Sequence, residues 1–345
     1  MRLATLHDVQ TNEALPVFEL PGGQRVELRE LFGPQQAAYA MGEMPLYFTD
    51  LSRTVSHLDD VIDAVRQWAS ERSEQGQAQR ERSWLATEKM SFLPPIPAPR
   101  AFRNFDGFEQ HVKNCRERSG QQIAAAWYEE PVFYFSNAGA LVGHETPVYA
   151  PFGSEQLDFG LELGLIVGRA GRDINPRAAW RHVAGFTIIN DLSARDLQQK
   201  ELSAGLGPVK GKDFATAVGP YLVTLDDLRD RIDSHGRIHL QMIARVNGKE
   251  VSRGNAASMY FSWPHILEQA SRDAQLFPGD LIGSGTVANG CILELGVEKV
   301  GGWLKPGDIV ELEVERLGTL RTPIVARPKK DPAKRAALDD ALMNV

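Results

Sequence analysis

In the stretch 157-LDFGLELG-164, Asp158 and Glu162 flank Gly160 at alternate positions. Successive side chains of a β-strand point to opposite faces, so the strand reading puts all three on one face. Carboxylates set along one face suit a hard divalent cation, which takes oxygen ligands. The glycine between them has no side chain to offer. Asp158 lies two strand steps from Glu162, roughly 13–14 Å along an extended strand, too far to stand in at position 160.

Four further segments carry reactive side chains. In 103-RNFDGFEQHVKN-114, His111 falls on a short helical piece beside Phe105 and Phe108. That setting suits a structural histidine as well as a catalytic one. In 189-INDLSARDLQQK-200 an apolar run leads into Asp191 at a strand end. There Ser193 is expected to cap a helix, with Asp196 as its capping-box partner. The loop 205-GLGPVKGKDFAT-216 sets Lys210 and Lys212 among glycines, a pattern for an anion or oxyanion site and equally for a surface loop. In 276-LFPGDLIGSGTVANGCILELG-296, glycines at 283, 285 and 290 allow close backbone approach, and Thr286 and Glu294 are the useful polar groups.

Elements that would position these groups follow from pattern. Strands are expected at 131-PVFYFS, 157-LDFGLELGLIVG, 183-VAGFTIIN, 219-GPYLVTL, 238-IHLQMIARVNGKEV, 281-LIGSGTV, 291-CILELG and 309-IVELEVERLG. Asn247-Gly248 predicts a two-residue hairpin turn. Short helices are expected near 105–118, 176–182, 193–201, 224–231 and 263–272. In the N-terminal region a PGG turn suggests a small hairpin, and Leu58, Val61, Ile62, Val65 and Trp68 recur at helical spacing over 57–72. The stretch 91-SFLPPIPAPR-100 holds four prolines in ten residues, a stiff connector. The expected organisation is a small α+β N-terminal domain over 1–95, a mainly β core over 96–326 with few short helices, and a C-terminal tail over 327–345, solvated or briefly helical.

The 345 residues exceed one ordinary core. A composition of 43% hydrophobic and 24% charged residues is that of a globular protein. The net charge of -7 argues against nucleic acid as a partner. No apolar stretch approaches the roughly 20 residues of a membrane span, and MRLATLHDVQ lacks the apolar run of a secretory signal. Cys115 and Cys291 have no zinc-like spacing and no partner framework, so they are read as reduced and the protein as cytoplasmic. There is no GxGxxG or GKS/T phosphate loop and no fixed-period repeat.

Taken together, FEQHV (108–112), PVFYFSN (131–137), LDFGLE (157–162), INDLSARDLQ (189–198), GPVKGKDFAT (207–216), FPGDLIGSGT (277–286) and GCILELG (290–296) resemble the fumarylacetoacetate hydrolase family over about residues 100–326. The N-terminal region is similar to the small domain that precedes the core in longer, bacterial-type members. The resemblance implies a mixed β-roll or sandwich core, a homodimer, and a small oxo-acid substrate of the kind met in aromatic catabolism. It implies a hydrolase that cleaves a C–C bond in a β-dicarbonyl acid of fumarylacetoacetate or acylpyruvate type. His111 and Glu294 match the catalytic pair that activates water, and Lys212 and Gln198 match the oxyanion stabilisers. Tyr134 and Thr286 match substrate-holding residues, and Asp106 stands where a substrate-facing tyrosine is common. Glu162 and Asp191 match ligands of Mg²⁺, Mn²⁺ or Ca²⁺. Asn104 stands where part of the family has a further carboxylate, and Gly160 where a glutamate is usual. The expected cation site is therefore depleted. Competing expectations are a metal-poor isomerase, decarboxylase, or cyclisation or retro-Claisen catalyst, and a non-catalytic binding protein.

Overall fold

The structure is a computed structural model and describes residues 1–31, 51–71, 76, 78, 81, 83–86, 89–118, 120–205 and 207–328. The expected tail, apart from its first two residues, lies outside the described residues.

The chain opens with β1 (Arg2–Asp8), β2 (Glu13–Glu19) and β3 (Arg25–Glu27), and the PGG turn joins β2 to β3 in an antiparallel pair. The amphipathic pattern over 57–72 becomes α1 (Leu58–Ser70), which buries Val61 and Ile62. Past the proline-rich connector come β4 (Phe102–Phe105), α2 (Glu109–Arg118), β5 (Phe133–Ser136), β6 (Leu161–Val167) and β7 (Val183–Asn190). Then follow α3 (Arg195–Ser203), β8 (Thr216–Thr224), β9 (Gln241–Val246), β10 (Lys249–Asn255) and α4 (Trp263–Ser271). The last elements are β11 (Leu281–Thr286), α5 (Ile292–Leu295), β12 (Ile309–Val314) and β13 (Gly318–Pro323).

The protein is mainly β. Its large sheet runs β3-β2-β1-β8-β7-β6-β11-β4-β5, and a smaller one runs β10-β9-β12-β13. In the large sheet β11 and β4 are parallel neighbours, whereas β6 pairs antiparallel with both β7 and β11. Every residue of β6 and β7 is buried, which is why both read as nearly unbroken apolar runs. Asn247 and Gly248 take φ of 53° and 75°, the left-handed pair a tight hairpin needs. β1 pairs with β8, Leu3 opposite Leu222, so the N-terminal hairpin extends the core sheet. Strands on both sides of residue 95 share this sheet.

Three local expectations are corrected. The run 157–167 is not one strand. Leu157–Asp158 pairs with Ser193–Ala194, and β6 begins at Leu161. Ser193 does not cap a helix: its hydroxyl donates to the Asp191 carbonyl at 3.1 Å, and α3 starts at Arg195. Asp196 instead accepts from Ser154 Oγ at 2.6 Å and Glu155 N at 2.8 Å. The segment 291-CILELG is helical over α5 rather than extended, because the Asp158 carboxylate accepts the Ile292 and Leu293 amides at 2.7 and 3.0 Å. Satisfying the first amides of a helix from outside outweighs a β-like composition.

Candidate active site

Four adjacent strands place one group of oxygen atoms. Glu162 of β6 stands opposite Thr286 of β11, whose hydroxyl donates to Glu162 Oε1 at 2.9 Å. Asn104 of β4 lies between Gly283 of β11 and Tyr134 of β5. The Asn104 amide donates to Asp191 Oδ2 at 3.2 Å and to the Tyr134 hydroxyl at 3.3 Å. The Tyr134 hydroxyl donates to the same Asp191 oxygen at 2.9 Å, and the Lys212 ammonium pairs with it.

What is left over identifies the group. Asn104 Oδ1, Glu162 Oε2 and Asp191 Oδ1 are buried with no hydrogen-bond partner. A Cβ at Gly283 would fall 2.0 Å from Asn104 Oδ1 and 3.4 Å from Glu162 Oε2, so two of these oxygens converge over a glycine. A Cβ at Gly160 would fall 3.0 Å from the Asp191 carbonyl oxygen and 3.1 Å from Thr286 Oγ1. A side chain at 160 would therefore start beside Asp191, where the sequence expected the missing ligand. Burial, reinforced by the charge of Asp191, pushes Glu162 up to about 8. Burial and the same two carboxylates hold Tyr134 well above the usual phenol range. Two carboxyl groups and an amide, each with one oxygen left over, fit a hard divalent cation that takes the place of the Glu162 proton.

The second group joins α2 to α5. His111 Nδ1 and Glu294 Oε2 are 2.6 Å apart. Glu294 Oε1 accepts from Asn114 Nδ2 at 3.0 Å and from the Asn289 amide at 2.9 Å, and Arg118 donates to the Glu294 carbonyl at 2.8 Å. Burial opposes a charge on His111, but hydrogen bonds to Cys115 and Glu294 outweigh it and hold the imidazolium well above its ordinary 6.5. Burial likewise opposes the Glu294 carboxylate, and the bond to His111 wins, lowering its pKa.

Asp158 links this pair to the rest. Besides capping α5 it bonds Arg195 Nε at 2.8 Å, and Arg195 Nη1 donates to Gln198 Oε1 at 3.0 Å. One buried carboxylate thus fixes both the helix of Glu294 and the amide of Gln198. Asp106 directly follows β4, its amide bonded to the Val132 carbonyl at 3.1 Å, and burial pushes its carboxyl up against the charges of His111 and Lys212. Lys210 pairs with Asp213 at the surface, and Arg116 bonds Gln121. Trp127 is buried and donates to the Asp106 carbonyl at 3.1 Å, whereas Tyr128 is exposed and bonds Glu109.

The structure brings His111 to Glu294, and Asn104, Tyr134, Asp191 and Lys212 to one another. Gln198 reaches the pair only through Arg195 and Asp158. The sequence offers no pointer to Arg195, Asn114 or the two cysteines as parts of the site, and Arg118, a candidate for a substrate carboxylate or a solvated helix residue, is bonded to the Glu294 carbonyl instead. Cys115 follows His111 by one helical turn and Cys291 precedes Glu294 by three residues, spacings that place each cysteine on the face of its partner.

The model of the fumarylacetoacetate (FAA) hydrolase C-terminal region matches residues 100–325. The chain belongs to the fumarylacetoacetate hydrolase family. Among its relatives is the mitochondrial oxaloacetate tautomerase FAHD2A of Homo sapiens, 32% identical over 244 residues, covering 70% of this chain and 71% of the relative. The fumarylacetoacetate hydrolase of Exiguobacterium antarcticum shares the fold, with a TM-score of 0.67, 23% identity, and coverage of 95% of this chain and all of the other. A fumarylpyruvate hydrolase of Pseudomonas aeruginosa, solved with Mn²⁺ and pyruvate, superposes with a TM-score of 0.55 and 22% identity, covering 69% of this family member and 92% of the neighbour. Members of the family are enzymes acting on small molecules. Among the described residues no helix is long and apolar enough to cross a membrane.

Proposed function

We propose that this protein interconverts the keto and enol forms of a small β-dicarbonyl acid of oxaloacetate type. The observation that carries the reading is the 2.6 Å contact between His111 Nδ1 and the buried Glu294 carboxylate, which, with Cys115 one turn away, favours the protonated ring. A resting imidazolium is a proton donor. Tautomerisation takes one proton off an enol oxygen and puts one on the carbon at the far end of the enol double bond, leaving a carbonyl. His111 gives the carbon its proton and takes back the one that the oxygen releases. Lys212 holds the negative charge that develops on the oxygen, and Glu294 fixes the ring. Thr286 and Tyr134 offer hydroxyls to the substrate, and Asp106 is a further substrate-facing residue in this reading. The name of the human relative supports the same substrate class.

Asn104, Glu162 and Asp191 would hold Mg²⁺, Mn²⁺ or Ca²⁺, which when bound supplies a Lewis acid for the substrate's carbonyl oxygens. The Mn²⁺ in the fumarylpyruvate hydrolase neighbour supports that choice of ion. The cytoplasmic location and the homodimer are carried as parts of this proposal, the latter checked by sedimentation.

A second reading, C–C hydrolysis of a fumarylacetoacetate- or acylpyruvate-like acid, is favoured by Gln198. Arg195 occupies its amide oxygen, which leaves the NH₂ as a donor suited to a tetrahedral oxyanion. Tautomerisation forms no such oxyanion. The two readings need His111 in opposite states, because a base that takes a proton from water must be neutral. The test follows enol oxaloacetate by ultraviolet absorbance and acylpyruvate by pyruvate release, each across pH 6–10. Enol decay that slows as pH rises through the raised pKa of His111, with no pyruvate released, supports the tautomerase. Pyruvate release that speeds up over the same range sinks it in favour of the hydrolase.

A further inference from the structure

Two thiols lie where the elements of the His111–Glu294 pair meet. Cys115 sits on α2 and Cys291 at the start of α5. Their sulfur atoms and a ring nitrogen of His111 all lie within 4.8 Å of one another. Cys115 Sγ is 3.8 Å from His111 Nε2, and Cys291 donates to Glu294 Oε2 at 3.5 Å. Neither cysteine is in a disulfide, and neither carries the transferred proton, although Cys115 helps to hold His111 charged. The two differ in kind. A hydrogen bond from Cys291 pulls Cys115 down to about 5 against burial, with His111 and Arg195 adding to the effect. Burial pushes the Cys291 thiol well up. A half-buried sulfur favoured as thiolate thus faces a fully buried one favoured as thiol, the division of labour of an attacking and a resolving sulfur.

We propose that Cys115 and Cys291 form a reversible disulfide on exposure to a hydroperoxide, and that this bond disables the His111–Glu294 pair. The Cys115 thiolate attacks one peroxide oxygen. The O–O bond breaks, the other oxygen leaves and is protonated to an alcohol or water, and Cys115 becomes a sulfenic acid. The Cys291 sulfur then attacks the Cys115 sulfur. The S–O bond breaks, and hydroxide leaves with the Cys291 proton as water. Two thiols are oxidised and one peroxide is reduced by two electrons; a dithiol reverses the change. Closing the sulfurs to about 2.05 Å draws α2 and α5 together at the level of the pair. It also removes the thiolate beside the imidazolium.

The experiment treats the full chain with hydrogen peroxide, alkylates the remaining thiols and maps the peptides. The expected result is a cross-linked Cys115–Cys291 peptide and turnover reduced on the order of 100-fold, as for a catalytic group displaced by about 1 Å. Dithiothreitol restores both. Cys291→Ser, compared with its own untreated form, should stop at a sulfenic acid on Cys115 that dimedone traps. Full alkylation of both thiols after peroxide overturns the proposal. A cross-link that leaves turnover unchanged overturns its inhibitory half. The inhibitory half rests on the tautomerase reading: untreated protein without turnover would be a failure of that reading, and the peptide map still decides the disulfide.

Discussion

The two halves of the candidate site are built on opposite principles. Around His111 and Glu294 the polar atoms are spent: both Glu294 oxygens are bonded twice over, and its carbonyl is tied to Arg118. Around Asn104, Glu162 and Asp191 three buried oxygens have no partner. A satisfied network is rigid and holds one arrangement without help. A buried acceptor left unmade costs about 1–3 kcal/mol, a cost that a ligand can relieve. The pair is therefore complete in the protein alone, and the oxygen cluster is complete only with something bound.

The largest effect should come from breaking the complete half. His111→Ala removes the proton carrier and should lower turnover of enol oxaloacetate by about 10²- to 10⁴-fold. Calorimetric titration with Mn²⁺ should give an unchanged affinity, because His111 is not among the oxygen ligands. An equal loss of Mn²⁺ binding would mean that the two halves are one unit. Breaking the incomplete half should do the reverse. Asp191→Ala leaves Glu162 as the lone carboxylate there and should abolish Mn²⁺ binding in the same titration. It also strands the buried Lys212 ammonium, at a cost of about 3–5 kcal/mol read as a fall in melting temperature. Asp191→Asn, with less disturbance of packing, should lose the cation as well; retained binding would remove Asp191 from the ligand set.

Much of this contrast was legible in residue types, and its cause was not. Val183–Asn190 and the Asn247-Gly248 turn announce themselves because apolar runs and left-handed turns depend on local chemistry alone. His111, Glu294, Lys212 and Asp191 stood out through a family resemblance that fixes their order along the chain. α5 resembles a strand in sequence because it is a short apolar run, whereas the group that makes it a helix is Asp158, remote in sequence. The same remoteness hid the meeting of Cys115 and Cys291. Asp158, first read beside a cation site, turned out to belong to the satisfied half, through Arg195 and the α5 amides.

Position 160 sharpens the comparison from the other side. Gly160→Glu adds a carboxylate that starts beside Asp191 and should tighten Mn²⁺ by on the order of tenfold, since oxygen sites are tuned by their charge count. Its Cβ would meet the Asp191 carbonyl oxygen at 3.0 Å, so a neighbour must yield by a few tenths of an ångström. Unchanged affinity in a folded variant would mean that this residue points away from the oxygens. Without the new ligand, the wild-type site should bind Mn²⁺ more strongly as pH rises toward about 8, where Glu162 gives up its proton.

The smallest effect tests whether the complete half stabilises the fold as well as the reaction. Folding raises the pKa of His111 above its ordinary 6.5, so its share of stability is fully present below 6.5 and is lost as pH rises through the raised value. Folding lowers the pKa of Glu294 below its ordinary 4.5, so its share is present above 4.5 and is lost as pH falls through the lowered value. Both shares are whole only between these limits. Melting temperatures of the wild type and of His111→Gln, measured from pH 4 to 10 without metal, should differ most at pH 5–6.5, by a few degrees. The gap should narrow as alkali neutralises the imidazolium. A gap that stays constant over the whole range would mean that the ring contributes by packing alone, and that the charge assigned to His111, with the proton donation built on it, is wrong.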